Sequence, residues 1–353
     1  MEAFAHRLIR WQRAHGRHDL PWQGGDAYRV WLSEIMLQQT QVATVIPYFR
    51  RFISSFPDVA TLASASVDDV LAHWSGLGYY ARGRNLHKAA QLIMQQHAGQ
   101  FPQSMQLIET LPGVGRSTAA AVAALAFHQQ HAILDGNVKR VLARWKGIAG
   151  WPGEKQVEEK LWQLAESLLP EQAGGKQHIA IYTQALMDLG ATVCTRGKPS
   201  CDRCPVNADC IAKAEQRTAQ LPTPRPKKII PEKHATFLLL LHGSDILLQK
   251  RPEQGIWGGL WCPPQLDDGQ GVVEDYLALH GWQVAERSEL PEFSHAFTHF
   301  KLHLTPVVLR VQEKPGRMEQ AESMWLDVGE ALLAGIPTPV RKMLQQLGGE
   351  ILI

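Results

Sequence analysis

The 353-residue sequence lacks any apolar run long enough to span a membrane. Its first sixteen residues, MEAFAHRLIRWQRAHG, lack the apolar core of a secretory signal. A cytoplasmic protein, nucleoid-associated if bacterial, is the expectation, with no membrane partner. Cysteine is scarce. There are five, and four of them, Cys194, Cys201, Cys204 and Cys210, fall within seventeen positions. In a chain without an export signal, such clustering argues for metal rather than disulfides. Cys262 stands alone and reads as buried packing. Net charge is also small, at +2, but it hides an asymmetry. Residues 1–233 carry +8 and residues 234–353 carry −6. A basic front part suits a polyanion partner, although ordinary solvated surface gives the same excess.

What is present falls into two patterns. Before residue 230 there is no strand pattern, and helical spacing recurs in AYRVWLSEIMLQQTQVATVIPYFRRF, VDDVLAHWSGLG, RGRNLHKAAQLIMQQH, RSTAAAVAALAF and GNVKRVLARWKGI. Breakers such as FPDVA, FPQS, LPGVG and GWPGE separate them. Residues 213–233, with three prolines in five positions among basic residues, read as a linker. Beyond it, TFLLLLH, the turn GSD and ILLQKR read as a hairpin, and KLHLTPVVLRV and SMWLDV as further strands. EDYLALHG and PVRKMLQQLG read as helices, so an α+β domain follows an all-α part.

Three features carry chemistry. In LPGVGRSTA, from Leu111, Pro112 ends one helix, and Gly113 and Gly115 permit a tight path with positive φ. The helix that follows begins with unsatisfied N–H groups, which with the helix dipole can seat one phosphate. A plain helix–helix turn is the competing reading. In CTRGKPSCDRCPVNADC four thiolates can hold one [4Fe–4S] cluster or one zinc ion. Zinc ribbons use two tight cysteine pairs and only the central pair is tight here, which favours the cluster. Arg196, Lys198 and Arg203 lie between the ligands and suit backbone phosphates. The third feature is a pair of acids. Glu34 lies in VWLSEIMLQQTQV among apolar residues, and Asp135 lies in ILDGNVKR at a helix start, where it also serves as an N-cap. Cleavage of a glycosidic bond needs one acid and one carboxylate.

Taken together, LPGVGRSTA, LDGNVKR, the C-x6-C-x2-C-x5-C loop and WLSEIMLQQTQV resemble the iron–sulfur helix–hairpin–helix DNA glycosylases, and within them the MutY branch of adenine glycosylases. The likeness extends through GLGYYARGRNLHKAA and the later WGGLW. It implies an N-terminal helix over 1–20, a six-helix barrel with the hairpin over 21–131, a [4Fe–4S] subdomain over 132–212, the linker, and a MutT-like Nudix domain over 234–353. The function implied is that of a monofunctional, monomeric glycosylase removing adenine opposite 8-oxoguanine or guanine in duplex DNA, the alternatives being a bifunctional pyrimidine-lesion glycosylase/lyase of the endonuclease III type and a non-catalytic iron–sulfur DNA-binding protein. By the same resemblance, Glu34 protonates adenine at N7, Asp135 stays ionised beside the sugar, and Asn137 holds the sugar or orients Glu34. Gln39 and Tyr79 fill or wedge the vacated stack. Leu111, Gly113, Gly115, Ser117, Lys139, Arg196 and Lys198 face DNA. Ser117 stands where a bifunctional relative has its nucleophilic lysine, so efficient strand cleavage is not expected. Phe297, Thr298 and His299 correspond to a Phe-Ser-His loop that reads 8-oxoguanine, a surface turn being the alternative. QLDDGQGVVEDYLALHG lacks a MutT-type cluster of glutamates, so pyrophosphatase activity is not expected.

Overall fold

Asp26, Ser66, Ser104 and Asp135 each stand one residue before a helix, and each accepts a backbone N–H three residues on. The donors are Arg29 at 2.9 Å, Asp69 at 3.0 Å, Leu107 at 3.3 Å and Val138 at 2.7 Å. These caps satisfy groups that a helix start leaves open. The computed structural model describes residues 2–171, 177–226, 229–267, 272–314 and 322–351. Positions 227 and 228 of the expected linker, and 268–271 of the stretch compared with MutT, lie outside the described residues. The described chain forms two compact units. One comprises Met1–Ala63 with Lys88–Lys227, and the other Ser64–His87 with Lys228–Ile353.

The first unit is helical. It contains α1 (Phe4–His15), α2 (Ala27–Leu37), α3 (Val42–Ser55) and most of α4 (Val59–Ser64). The long apolar-periodic stretch at 27–52 is therefore two helices, broken where Gln39 takes a left-handed φ of 57°. Helix α5 (Val67–Trp74) belongs to the second unit, and α6 (Ala81–His97) is divided between the two. The first unit continues with α7 (Met105–Glu109), α8 (Arg116–Phe127), α9 (Gly136–Trp145), α10 (Lys155–Ser167) and α11 (Gln177–Asp188). A π-turn (Leu189–Val193), two short 3-10 turns and α12 (Ile211–Ala214) complete it. Helix α8 is the centre. Ala119 to Ala124 are all buried, and such small side chains let α2, α7 and α11 pack closely around it. Leu8 of α1, Val141 and Leu142 of α9, and Tyr182 and Ala185 of α11 extend the same core.

The second unit is a mixed sheet with helices. Its strands are β1 (Glu232–His242), β2 (Asp245–Lys250), β3 (Trp261–Cys262), β4 (Gln265–Asp267), β5 (Val284–Glu289), β6 (Phe293–Ala296), β7 (Lys301–Val311) and β8 (Ser323–Asp327). The path runs β3-β2-β1-β7-β5, with β4 on β1, β6 on β7 and β8 on β2. Strands β1 and β7 pair in parallel through the run Leu238–Leu241, which is buried on both faces. That burial explains why TFLLLLH reads as a continuous apolar run rather than an alternation. The remaining helices are α13 (Val273–Leu279), α14 (Val328–Ala331) and α15 (Thr338–Ile351). Within this unit Ser75 Oγ donates to the Ile336 carbonyl at 2.8 Å, and Lys250 pairs with Asp68 at 2.8 Å. Cys262 is 1% exposed, as packing requires. No helix among the described residues is long and apolar enough to cross a membrane.

Candidate active site and cysteine cage

Glu34 and Asp135, a hundred residues apart in sequence, line one cleft of about 1150 Å³ in the helical unit. Helix α2 presents Glu34, the start of α9 presents Asp135 and Asn137, and the π-turn after α11 forms a further wall. The volume lies just above the usual range for ligand pockets.

The two acids have different surroundings. Burial, and then the charge of Asp135, push the Glu34 carboxyl up to about 8. Asp135 is also pushed above its ordinary value by burial. Backbone N–H bonds from Val138 and Asn137, with the charges of Arg140 and Lys139, oppose that push. The coupling runs one way for a physical reason. Asp135 loses its proton first, while Glu34 is still neutral and exerts no charge. Glu34 then titrates against a carboxylate already present. Of the two, Asp135 is thus the acid that ionises first and Glu34 the one that holds its proton longer, the order that glycosidic chemistry uses.

Ser117, Arg140 and Gly190 hold this pair. Ser117 Oγ accepts the N–H of Leu134 at 2.9 Å and so fixes the segment entering Asp135. Arg140 donates to Asn137 Oδ1 at 2.8 Å, to the Gly190 carbonyl at 2.7 Å and to the Cys194 carbonyl at 2.7 Å. Gly190, in the π-turn, sits hard against Asn137. A Cβ added there would lie 2.6 Å from the Asn137 Cβ, so only glycine fits. The turn leads directly into Cys194, whose N–H closes it onto the Leu189 carbonyl at 2.7 Å. The stretch DLGATVC was the available clue, since a glycine interrupting a helical pattern marks a close approach.

Cys194, Cys201, Cys204 and Cys210 line a second, smaller cavity with Arg144. Arg144 is 3% exposed and donates to the carbonyls of Leu221, Thr195 and Arg196, and to Cys194 Sγ at 3.5 Å. Burial, joined by the other three thiols, pushes Cys204 up to about 12. Four thiolates there need a cationic centre. No three of the sulfurs come within 4.8 Å of one another, since among the described residues the sole cluster that tight is a histidine–glutamate group elsewhere. Tetrahedral zinc with ~2.3 Å bonds would bring sulfurs to about 3.8 Å, so the cage fits a larger group. Arg196, Lys198 and Arg203 stand exposed on the loop, and Arg196 also lines the cleft.

The hairpin lies between α7 and α8. Gly113 has φ 79°, as expected, but Gly115 has φ −100° and open space around its Cβ position. The expectation of positive φ is thus corrected at Gly115, which serves instead as an extended helix cap. No side chain caps α8, so no side-chain acceptor takes its first N–H groups. Leu111 is buried at 2% and anchors the hairpin. Lys139 is held by Glu158 at 2.6 Å. Gln39 lines the cleft with its left-handed backbone. Tyr79, in the second unit, also has a left-handed φ, 48°, and is 50% exposed, so it is not a core aromatic. Phe297, Thr298 and His299 form the turn between β6 and β7, closed by the Phe297 N–H on the Phe300 carbonyl at 2.8 Å. The Phe297 ring stacks on Phe300 at 4.5 Å and leans on Trp257, while Thr298 and His299 are exposed.

Residues 32–167 match the HhH-GPD superfamily of base excision DNA repair proteins, and residues 235–346 match the NUDIX domain. The adenine DNA glycosylase of Buchnera aphidicola subsp. Acyrthosiphon pisum is 39% identical over 344 residues, 97% of each chain. That of Mus musculus is 33% identical over 402 residues, covering 97% of this chain and 77% of its own. Among solved structures, a thermostable thymine-DNA glycosylase superposes with a TM-score of 0.53 at 28% identity, over 60% of this chain and 95% of that one.

Proposed function

The chain belongs to the adenine DNA glycosylases, DNA N-glycosylases of base excision repair, and from that premise we propose that its target is adenine opposite 8-oxoguanine, and more slowly adenine opposite guanine. One observation carries this reading: two acids line a single cleft in the helical unit, Glu34 pushed up to about 8 by burial and by Asp135, and Asp135 held against its own burial by backbone N–H bonds and nearby cations. In the proposed reaction a monomer binds the duplex and the adenosine leaves the stack to reach them. Glu34 gives its proton to adenine N7, which drains electrons from the N9–C1′ bond. That bond breaks, its electron pair leaving with the base. The ionised Asp135 faces the cationic sugar, and Asn137, gripped by Arg140, holds the sugar edge. Water adds at C1′ and yields its proton to the Glu34 carboxylate, restoring the acid. The products are free adenine and an abasic site.

The remaining roles follow the same reading. Gln39 fills the space the adenosine leaves, and Tyr79 is a DNA-facing residue of the second unit. The α8 N-terminus with Gly113, Gly115 and Ser117, together with Lys139, Arg196 and Lys198, takes the backbone. The region 234–353 reads the opposite base through Phe297, Thr298 and His299. The four cysteines hold one [4Fe–4S] cluster, a reading supported by the width of their cage. Bound there, the cluster supplies positive charge that neutralises thiolates and fixes the basic loop. The protein works in the cytoplasm.

The test is a panel of duplexes carrying A:8-oxoguanine, A:G or thymine glycol, each assayed with and without alkali. Adenine release from the first two, with strand breaks only after alkali, is expected. Release from the pyrimidine lesion alone, or breaks without alkali at the rate of base loss, would overturn the reading.

A further inference from the structure

On one face of the second unit, three separated segments bring two histidines and two glutamates together. His234 of β1 and His303 of β7 are direct partners in the parallel ladder, and their rings stack at 4.6 Å with planes 14° apart. Glu292 immediately precedes β6, whose Ser294 is the partner of His303 on its other side. One ligand atom from each of His234, Glu292 and His303 lies within 4.8 Å of the other two.

His303 shows how the group is wired. Its Nδ1 is 3.4 Å from Glu292 Oε1, and its Nε2 is 2.8 Å from Glu232 Oε2. A neutral imidazole carries one N–H and one lone pair. If Nε2 donates to Glu232, Nδ1 turns a lone pair towards the Glu292 carboxylate. A cation between those two atoms satisfies both. Two ligands about 2.1 Å from a tetrahedral ion stand roughly 3.4 Å apart, which is the separation found. A histidine that binds metal through one nitrogen usually donates its other N–H to a carboxylate, and Glu232 fills that place. Lys301 Nζ, 3.9 Å from Glu232, is the cation beside the group.

We propose that His234, His303 and Glu292 form a binding site for a divalent transition-metal ion of the zinc class, with Glu232 orienting His303. Two imidazoles and one carboxylate favour zinc over magnesium or calcium, which take oxygen ligands. His234 is exposed, and one of its ring nitrogens already stands within 4.8 Å of the other two ligand atoms. The ion ties β1, β6 and β7 at the base of the hairpin whose turn holds Phe297, Thr298 and His299. That last consequence rests on the recognition reading of the turn, whereas the metal site does not.

The experiment uses the full chain with its cysteine cage loaded, as judged by unchanged iron content. Zinc is titrated in competition with a chromophoric chelator. One equivalent per chain is expected. H234A and H303A should each weaken it at least tenfold, and E232Q about tenfold, at the low end for an outer partner. All four side chains lie on the sheet surface, so the variants should keep the wild-type melting temperature without zinc. No zinc uptake by the wild-type chain at 100-fold excess over ~1 μM protein, or uptake unchanged in both histidine variants, would overturn the proposal. Adenine release measured in parallel reports separately on the glycosylase reading.

Discussion

Replacing Glu34 by Gln should make the protein both inactive and more stable, and the second effect should depend on pH in a defined way. The carboxyl has a pKa near 4.5 in the unfolded chain and about 8 in the folded one. Below pH 4.5 it is neutral in both states and costs nothing. Between pH 4.5 and 8 the unfolded chain ionises while the folded protein keeps its proton, so stability drains as pH rises. Above 8 both states are ionised and the loss is constant. At 1.36 kcal/mol per unit, the penalty is about 0.8 kcal/mol at pH 5 and about 4 kcal/mol at pH 7.5. Both figures are ceilings, because the cleft admits water and screens the charge. Gln has the same shape and never ionises, so E34Q should recover most of the penalty at pH 7.5 and little at pH 5. Urea denaturation of both proteins at the two pH values measures this, followed by a probe of the helical unit. Duplex binding should persist while adenine release falls by several orders of magnitude. An equal stability difference at pH 5 and 7.5 would refute the elevated carboxyl, and near-wild-type turnover would remove Glu34 from the chemistry.

Three further outcomes follow from the same geometry. The single-turnover rate should form a bell in pH: its alkaline limb falls near 8 as Glu34 loses its proton, and its acid limb falls above the ordinary aspartate range as Asp135 gains one; a rate flat from pH 7 to 9 would contradict the Glu34 assignment. Gly190→Ala should displace Asn137 and cut base release about 10- to 100-fold while leaving iron content and α-helical signal near normal; unchanged turnover would show that the 2.6 Å approach is not needed for catalysis. Arg144→Met should strip three carbonyls of the cysteine loop and its surroundings of their donor, at about 1–3 kcal/mol for each buried acceptor left unsatisfied, and the purified variant should carry less iron, as metal analysis would report.

Much of the site could be seen in the linear chain because its chemistry depends on residue type at short spacing. The four cysteines, the glycine hairpin and the Asp135 cap are each local motifs. The helices, too, declare themselves by apolar spacing. What was harder to see involved backbone geometry or distant partners. Gly115 looked like a second left-handed glycine, yet its φ is −100° and its value lies in capping. The break in the stretch at 27–52 has no glycine or proline to mark it at Gln39, which takes the left-handed backbone between α2 and α3 without one. Gly190 and Arg144 act through partners some fifty residues or more away along the chain, Asn137 for the one and the Thr195, Arg196 and Leu221 carbonyls for the other, which local composition does not mark.

The sequence by itself determined which groups could do chemistry: two acids, four thiols, a hairpin and a basic loop, together with the change from helical to strand periodicity near residue 230. Only the tertiary structure decided which acid keeps its proton. That choice depends on how much water each carboxyl loses and which charge ionises first beside it, and both are properties of the folded cleft. The same holds for the link from Cys194 through Arg140 to Asn137, and for the histidine pair across β1 and β7. Hydrogen bonds and desolvation act over a few ångströms, and separation along the chain says nothing about such distances until the helices and strands have packed.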